Sequence, residues 1–117
     1  EGGDMALELA RMTPRRFAAV AVADAHAPPS AHPYKGMPMW AFNAENDVIV
    51  NSTEMFEFFK ELDRHEGASP DDTHFTLLDE APTPYGLPEQ AGHASCMAAF
   101  MTPYLYRWAR GYTVPEN

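Results

Sequence analysis

The sequence predicts an α/β fold, with three parallel strands and flanking helices. Two observations carry this. Short, nearly unbroken apolar runs alternate with segments of helical periodicity, and Pro- and Gly-rich loops separate them. Runs of that kind suit parallel strands covered on both faces, joined by right-handed crossovers.

The first element is a helix over about Met5–Met12, stopped by Thr13 and Pro14. It follows directly on Gly2 and Gly3, a pair that marks a tight turn or a close backbone approach. Phe17 to Val22 then form an apolar run, so residues 16–23 are expected as a buried strand. Its apolar character argues against a place at an open sheet edge. After the loop APPSAHPYKG comes a second buried strand at Met39, Trp40, Ala41 and Phe42, followed by the polar stretch Asn43–Asp47. Asn51 is placed to cap a helix, with Glu54 where a capping carboxylate reaches back. In that helix Met55, Phe58, Phe59 and Leu62 recur at 3- and 4-residue spacing, and Gly67 is its stop. THFTLLDE is a less apolar strand suited to a sheet edge. The loop APTPYGLPEQAGHAS has no periodicity. Met97, Phe100 and Met101 give a short apolar helix face, and Thr102-Pro103 opens a last helix that buries Tyr104, Leu105 and Trp108.

Composition bounds the function. The 117 residues leave room for one modest core, and 45% hydrophobic content excludes a disordered tail. Eight basic against seventeen acidic residues give a formal charge of −9, which disfavours nucleic acid or an anionic membrane as partner. No apolar run approaches the ~20 residues of a membrane span. The lone Cys96 forms no internal disulfide and has no zinc spacing around it. It reads as a small buried apolar residue, and weakly favours a reducing compartment.

Three phrases in order resemble the α/β-hydrolase superfamily. EGGDMALELARMTPRRFAAV is similar to the glycine-rich turn and helix that follow the nucleophile in G-x-S-x-G-G esterases. MPMWAFNAENDVIVNSTEMFEFFKEL looks like the strand and acid loop, and AGHASCMAAFMTPYLYRWARG like the histidine loop and last helix. The resemblance covers nearly the whole chain and is nearest to feruloyl-esterase, polyhydroxybutyrate-depolymerase and dienelactone-hydrolase-like carboxylesterases. It implies the C-terminal half of a hydrolase sheet, incomplete as a stand-alone fold. It also implies Asp47 as triad acid, His93 as triad base and the Glu1 backbone N–H as an oxyanion donor. The nucleophilic serine would stand immediately before Glu1, so an isolated 117-residue chain would not be catalytic. The N-terminal half of the fold, in the same polypeptide or a separate chain, and a small ester are the partners implied; no cofactor or metal is.

Two departures stand out. Asn43-Ala44 replaces the usual His-Gly after the strand, and the loop from Glu80 to Gly92 is long and Pro-rich. On the residues alone, Asp47 is also an ordinary turn aspartate after Asn46, and His93 a solvent-facing loop histidine. Asp24 and His26, at a strand's end, are expected to line a pocket. His32, His65 and His74 show no metal-ligand spacing, and Trp40 and Trp108 are expected in the core. Two readings of other classes remain: a non-catalytic half-hydrolase acting as a docking element in an assembly, and a free-standing α/β binding domain.

Overall fold

The computed structural model describes residues 2–64 and 69–115. Glu1, His65 and the expected helix stop at Gly67 lie outside the described residues. Three strands, β1 (Val20–Ala23), β2 (Met39–Ala44) and β3 (Thr73–Leu78), form one parallel sheet in the order β1-β2-β3. Val20 pairs with Met39, and Met39 with Thr73, so the three carboxyl ends gather at one side.

β2 is central and buried along its whole length. One of its faces carries Met39 and Ala41, packed with Val20 and Val22 of β1 against α1 (Gly2–Met12) and α2 (Ser52–Leu62). Met55, Phe58, Phe59 and Leu62 of α2 are all buried here, as their spacing predicts. Each such side chain contributes about 1.5–3 kcal/mol of burial. The opposite face carries Trp40 and Phe42, covered by Ala99 of α3 (Cys96–Phe100) and by Leu105 and Trp108 of α4 (Pro103–Arg110). Trp40 stacks on Phe42 with centroids 5.4 Å apart and meets Trp108 edge-on at 5.6 Å. Its indole N–H donates to Thr76 Oγ1 at 2.8 Å, so the buried ring leaves no polar atom unpaired.

The cap on α2 forms as expected: Asn51 Oδ1 accepts the N–H groups of Thr53 (2.8 Å) and Glu54 (3.3 Å). Elsewhere the structure corrects the sequence. β1 is four residues long rather than eight, because Pro14–Arg16 forms a 3₁₀ turn and the ladder starts where Val20 N–H meets the Pro38 carbonyl. Pro38 has no N–H with which to extend the pairing backwards. β1 also stands at an edge among the described residues, with Ala21 exposed, despite its apolar composition. α3 turns only the small Ala99 to the sheet, leaving Met97, Phe100 and Met101 exposed rather than buried. Tyr104 is likewise half exposed, its ring touching Trp40 edge-on. The Thr102 hydroxyl donates back to Ala98 O at 2.7 Å and does not cap α4, which begins at Pro103 with φ already fixed for a helix.

Candidate active site

Two loops meet at the carboxyl end of β2. The first follows β2 and carries Asn46 and Asp47; the second runs from Ala81 to His93. Asn46 joins them as a backbone mimic, its side chain donating to Ala81 O at 3.0 Å and accepting Ala81 N–H at 2.9 Å. Val48 N–H adds a bond to Ala91 O at 3.0 Å. The loops touch so closely at Gly92 that a Cβ there would fall 2.3 Å from Asn46 O. Gly92 also has φ +73°, in the left-handed region. Both facts require glycine at this position.

Asp47 has a side chain with 0% exposure. Oδ1 accepts the N–H groups of Ile49 (2.7 Å) and Val50 (3.3 Å), and Oδ2 lies 2.8 Å from His93 Nδ1. The turn reading and the histidine-partner reading of Asp47 therefore hold together: one oxygen builds the turn and the other faces the imidazole. The His93 side chain is 15% exposed, and the backbone N–H of His93 donates to Gln90 O at 3.0 Å. A carboxylate only accepts hydrogen bonds, so the Nδ1 proton belongs to this contact, and in the neutral ring Nε2 is left as an acceptor. That is the tautomer a general base requires.

A third side chain completes the cluster. Asp24, immediately after β1, is 8% exposed and has φ +60°. Aspartate enters that region more readily than most side chains do, at a cost of about 1–2 kcal/mol. Its carboxylate accepts the backbone N–H groups of Ser95 (3.0 Å) and Cys96 (3.2 Å), and the Ser95 hydroxyl. Asp24, Asp47 and His93 each present a donor atom within 4.8 Å of the others. The two carboxylates of this cluster already accept N–H and O–H groups of the chain.

A cavity of about 580 Å³ opens beside this cluster, lined by Gly2, Gly3, Asp24, His93, Cys96 and apolar side chains of α3 and α4. Gly3 packs tightly here: a Cβ on it would meet Ala25 Cβ at 2.8 Å and Ala23 O at 3.0 Å. The start of α1 is thus pressed onto the end of β1, which is the close approach that a glycine pair suggests. Asp4 pins the same junction, accepting His26 N–H at 2.7 Å and meeting His26 Nδ1 at 2.9 Å. Partial burial would raise the Asp4 carboxyl, but the two bonds to His26 outweigh it and hold the carboxyl below its ordinary range.

Asp47 and His93, predicted together, meet. Asp24 lines the same cavity as expected, whereas His26 turns away to Asp4 and lines a separate depression. Cys96 is half-buried on the cavity wall rather than in the core. His32 is exposed, and the His74 ring lies tilted against Trp40 with centroids 4.5 Å apart. Sequence reasoning missed Asn46, Gly92 and Ser95. A glycine directly before the candidate histidine was the available signal for Gly92.

No protein-family model matches the sequence, and no curated protein matches it. Among solved structures, a thermostable esterase superposes with a TM-score of 0.73 at 20% identity. The match covers 95% of this chain and 28% of that one. The chain therefore shares its fold with a part of an esterase, and spans little more than a quarter of that protein's length. Among the described residues no helix is long and apolar enough to cross a membrane.

Proposed function

We propose that this chain supplies the acid and base of a serine carboxylesterase of the α/β-hydrolase type. The observation that carries the reading is the contact between buried Asp47 and His93 Nδ1 at 2.8 Å, at the carboxyl ends of parallel strands. Sheet folds of this kind place active groups there. The nucleophile is a serine immediately before Glu1, on the turn into α1, brought by the same polypeptide or by a separate chain. Two features support that placement: Gly2, Gly3 and His93 line one cavity, and Gly3 sits where only a glycine fits.

In this reading His93 Nε2 accepts the serine proton as the serine oxygen forms its bond to the ester carbonyl carbon. Asp47 holds the ring and stabilises the imidazolium that results. The Glu1 backbone N–H is one donor to the oxyanion. Collapse breaks the bond to the alcohol, which leaves with the proton returned by His93, and water then repeats the cycle on the acyl-enzyme. No cofactor is called for. The feruloyl-esterase, depolymerase and dienelactone-hydrolase-like groups are the nearest candidates for the subfamily.

An open β1 edge would serve a non-catalytic docking subunit equally well. The bonded Asp47–His93 pair favours the catalytic reading, because docking gives no reason for a buried carboxylate to orient a histidine towards a cavity. The test is hydrolysis of short-chain p-nitrophenyl esters by the natural protein in its full assembly. A burst of p-nitrophenol matching the enzyme concentration is expected. Turnover that persists unchanged in His93→Ala would remove the proposed base.

A further inference from the structure

The reaction above uses the carboxylate of Asp47 and leaves the other buried carboxylate, at the end of the neighbouring strand, without a part. Asp24 does not touch the His93 ring by a hydrogen bond. It grips the backbone just beyond it: Oδ1 takes the Ser95 N–H at 3.0 Å together with the Ser95 hydroxyl, and Oδ2 takes the Cys96 N–H at 3.2 Å. The Ser95 hydroxyl also lies 3.1 Å from Phe42 O, the carbonyl that accepts the N–H of Asp24 itself at 2.9 Å. Ser95 is fully buried. The ends of β1 and β2 and the segment after His93 are therefore tied at one carboxylate. On the near side, His93 is held by Gln90 O and by Asp47. On the far side, two residues on, it is held through Asp24.

We propose that Asp24 is a positioning residue for His93. Acting through Ser95 and Cys96, it fixes the backbone from which the imidazole projects, so that Nδ1 keeps its contact with Asp47 and Nε2 stays turned to the cavity. The φ of +60° at Asp24 agrees with such a part, since sparsely populated backbone conformations collect at functional sites and persist where the surroundings over-determine them. This inference rests on His93 being the base of the proposed esterase.

The test uses the natural protein in its full assembly, with Asp24→Gly, Asp24→Asn and Ser95→Ala compared with Asp47→Asn. Asp24→Gly suits the positive φ, so loss of the side chain's grip is not compounded by backbone strain. Expected is a fall in kcat of about 100-fold for Asp24→Gly, the scale of a small misplacement of a reacting group, with KM changed less than about threefold. Asp24→Asn, which keeps one acceptor oxygen, is expected to restore most of the loss, and Ser95→Ala to cost about tenfold. A second readout does not need activity: the downfield proton resonance of His93 Nδ1–H should broaden or move in Asp24→Gly while the protein stays folded. If Asp24→Gly does not fold, Ser95→Ala carries the same comparison. A kcat within twofold of the parent, with the His93 resonance unmoved, would overturn the inference while leaving the esterase reading intact. Asp47→Asn without effect on turnover would instead overturn the esterase reading, and the resonance would still decide whether Asp24 positions the ring.

Discussion

Asp24 directly follows β1 and Asp47 stands three residues past the end of β2, and both side chains are withdrawn from solvent, yet the chain uses them differently. Asp47 spends one oxygen on its own turn, through Ile49 and Val50, and offers the other to an imidazole. Asp24 builds no such turn; both its oxygens go to backbone and hydroxyl donors of a segment 71 and 72 residues further along the chain. One carboxylate is arranged around a group that can gain and lose a proton, the other around groups that cannot. A buried carboxylate at a strand end is thus no sufficient mark of a triad acid. What its oxygens face decides the role.

The largest effect is expected from removing the ring contact. Asp47→Asn and His93→Ala are expected to lower kcat by about 10⁴-fold, because loss of the acid leaves the wrong tautomer and loss of the base leaves the hydroxyl inactive. Single-turnover kinetics on a p-nitrophenyl ester checks this, and a loss below tenfold would contradict the assignment.

Next is Gly92→Ala, which puts a Cβ 2.3 Å from Asn46 O at a positive φ. It should destabilise the fold by about 3 kcal/mol, combining backbone strain and overpacking, and should prise the histidine loop from the acid loop. Urea denaturation measures the first effect, and ester turnover the second. Unaltered stability would show that the loops do not meet as described.

Asn46→Ala removes both bonds to Ala81 and leaves that partly buried peptide to find other partners. A loss of about 1–3 kcal/mol is expected, with turnover falling less than in Asp47→Asn. Asn46→Asp, which keeps the acceptor and loses the donor, should lie between Asn46→Ala and the parent; stability equal to Asn46→Ala would rule out a contribution from the Ala81 N–H bond.

The smallest effect lies far from both carboxylates. Burial, and then the hydrogen bond to Asp72, push the Tyr112 hydroxyl up to about 12. A folded value above the unfolded value of about 10 means that the stabilisation is complete below pH about 10 and is lost as pH rises through 12. Spectrophotometric titration should find Tyr112 among the last tyrosines to ionise, and Tyr112→Phe should remove that late step without touching ester turnover.

Much of the scaffold was legible because its signals are local. Asn51 and the Met55–Leu62 spacing marked α2, and the unbroken Met39–Phe42 run marked β2 as a buried strand. Asp47 and His93 were legible only through three phrases read together, since the residues singly fit a turn and a loop. The misses follow from non-local causes. Met97, Phe100 and Met101 look like a core face until the sheet is seen to meet α3 through Ala99 alone. Thr102 is a local exception: it has the residue type of a cap, but its hydroxyl donates to Ala98 O four residues back. β1 has a core composition, yet among the described residues β2 is its single sheet neighbour, which agrees with a chain covering only 28% of its esterase counterpart. Asp24 was expected to line a pocket, but its grip on Ser95 spans 71 residues and leaves no local mark.

The proposed reaction has Asp47 and His93 activate a serine in the cavity beside Gly2 and Gly3. The most direct measurement is labelling of the natural protein, in its full assembly, with a fluorophosphonate serine-hydrolase probe, followed by peptide mapping. One labelled serine immediately before Glu1 is expected, with labelling lost in Asp47→Ala and His93→Ala. Labelling that survives both substitutions, or that falls on a serine elsewhere, would contradict it.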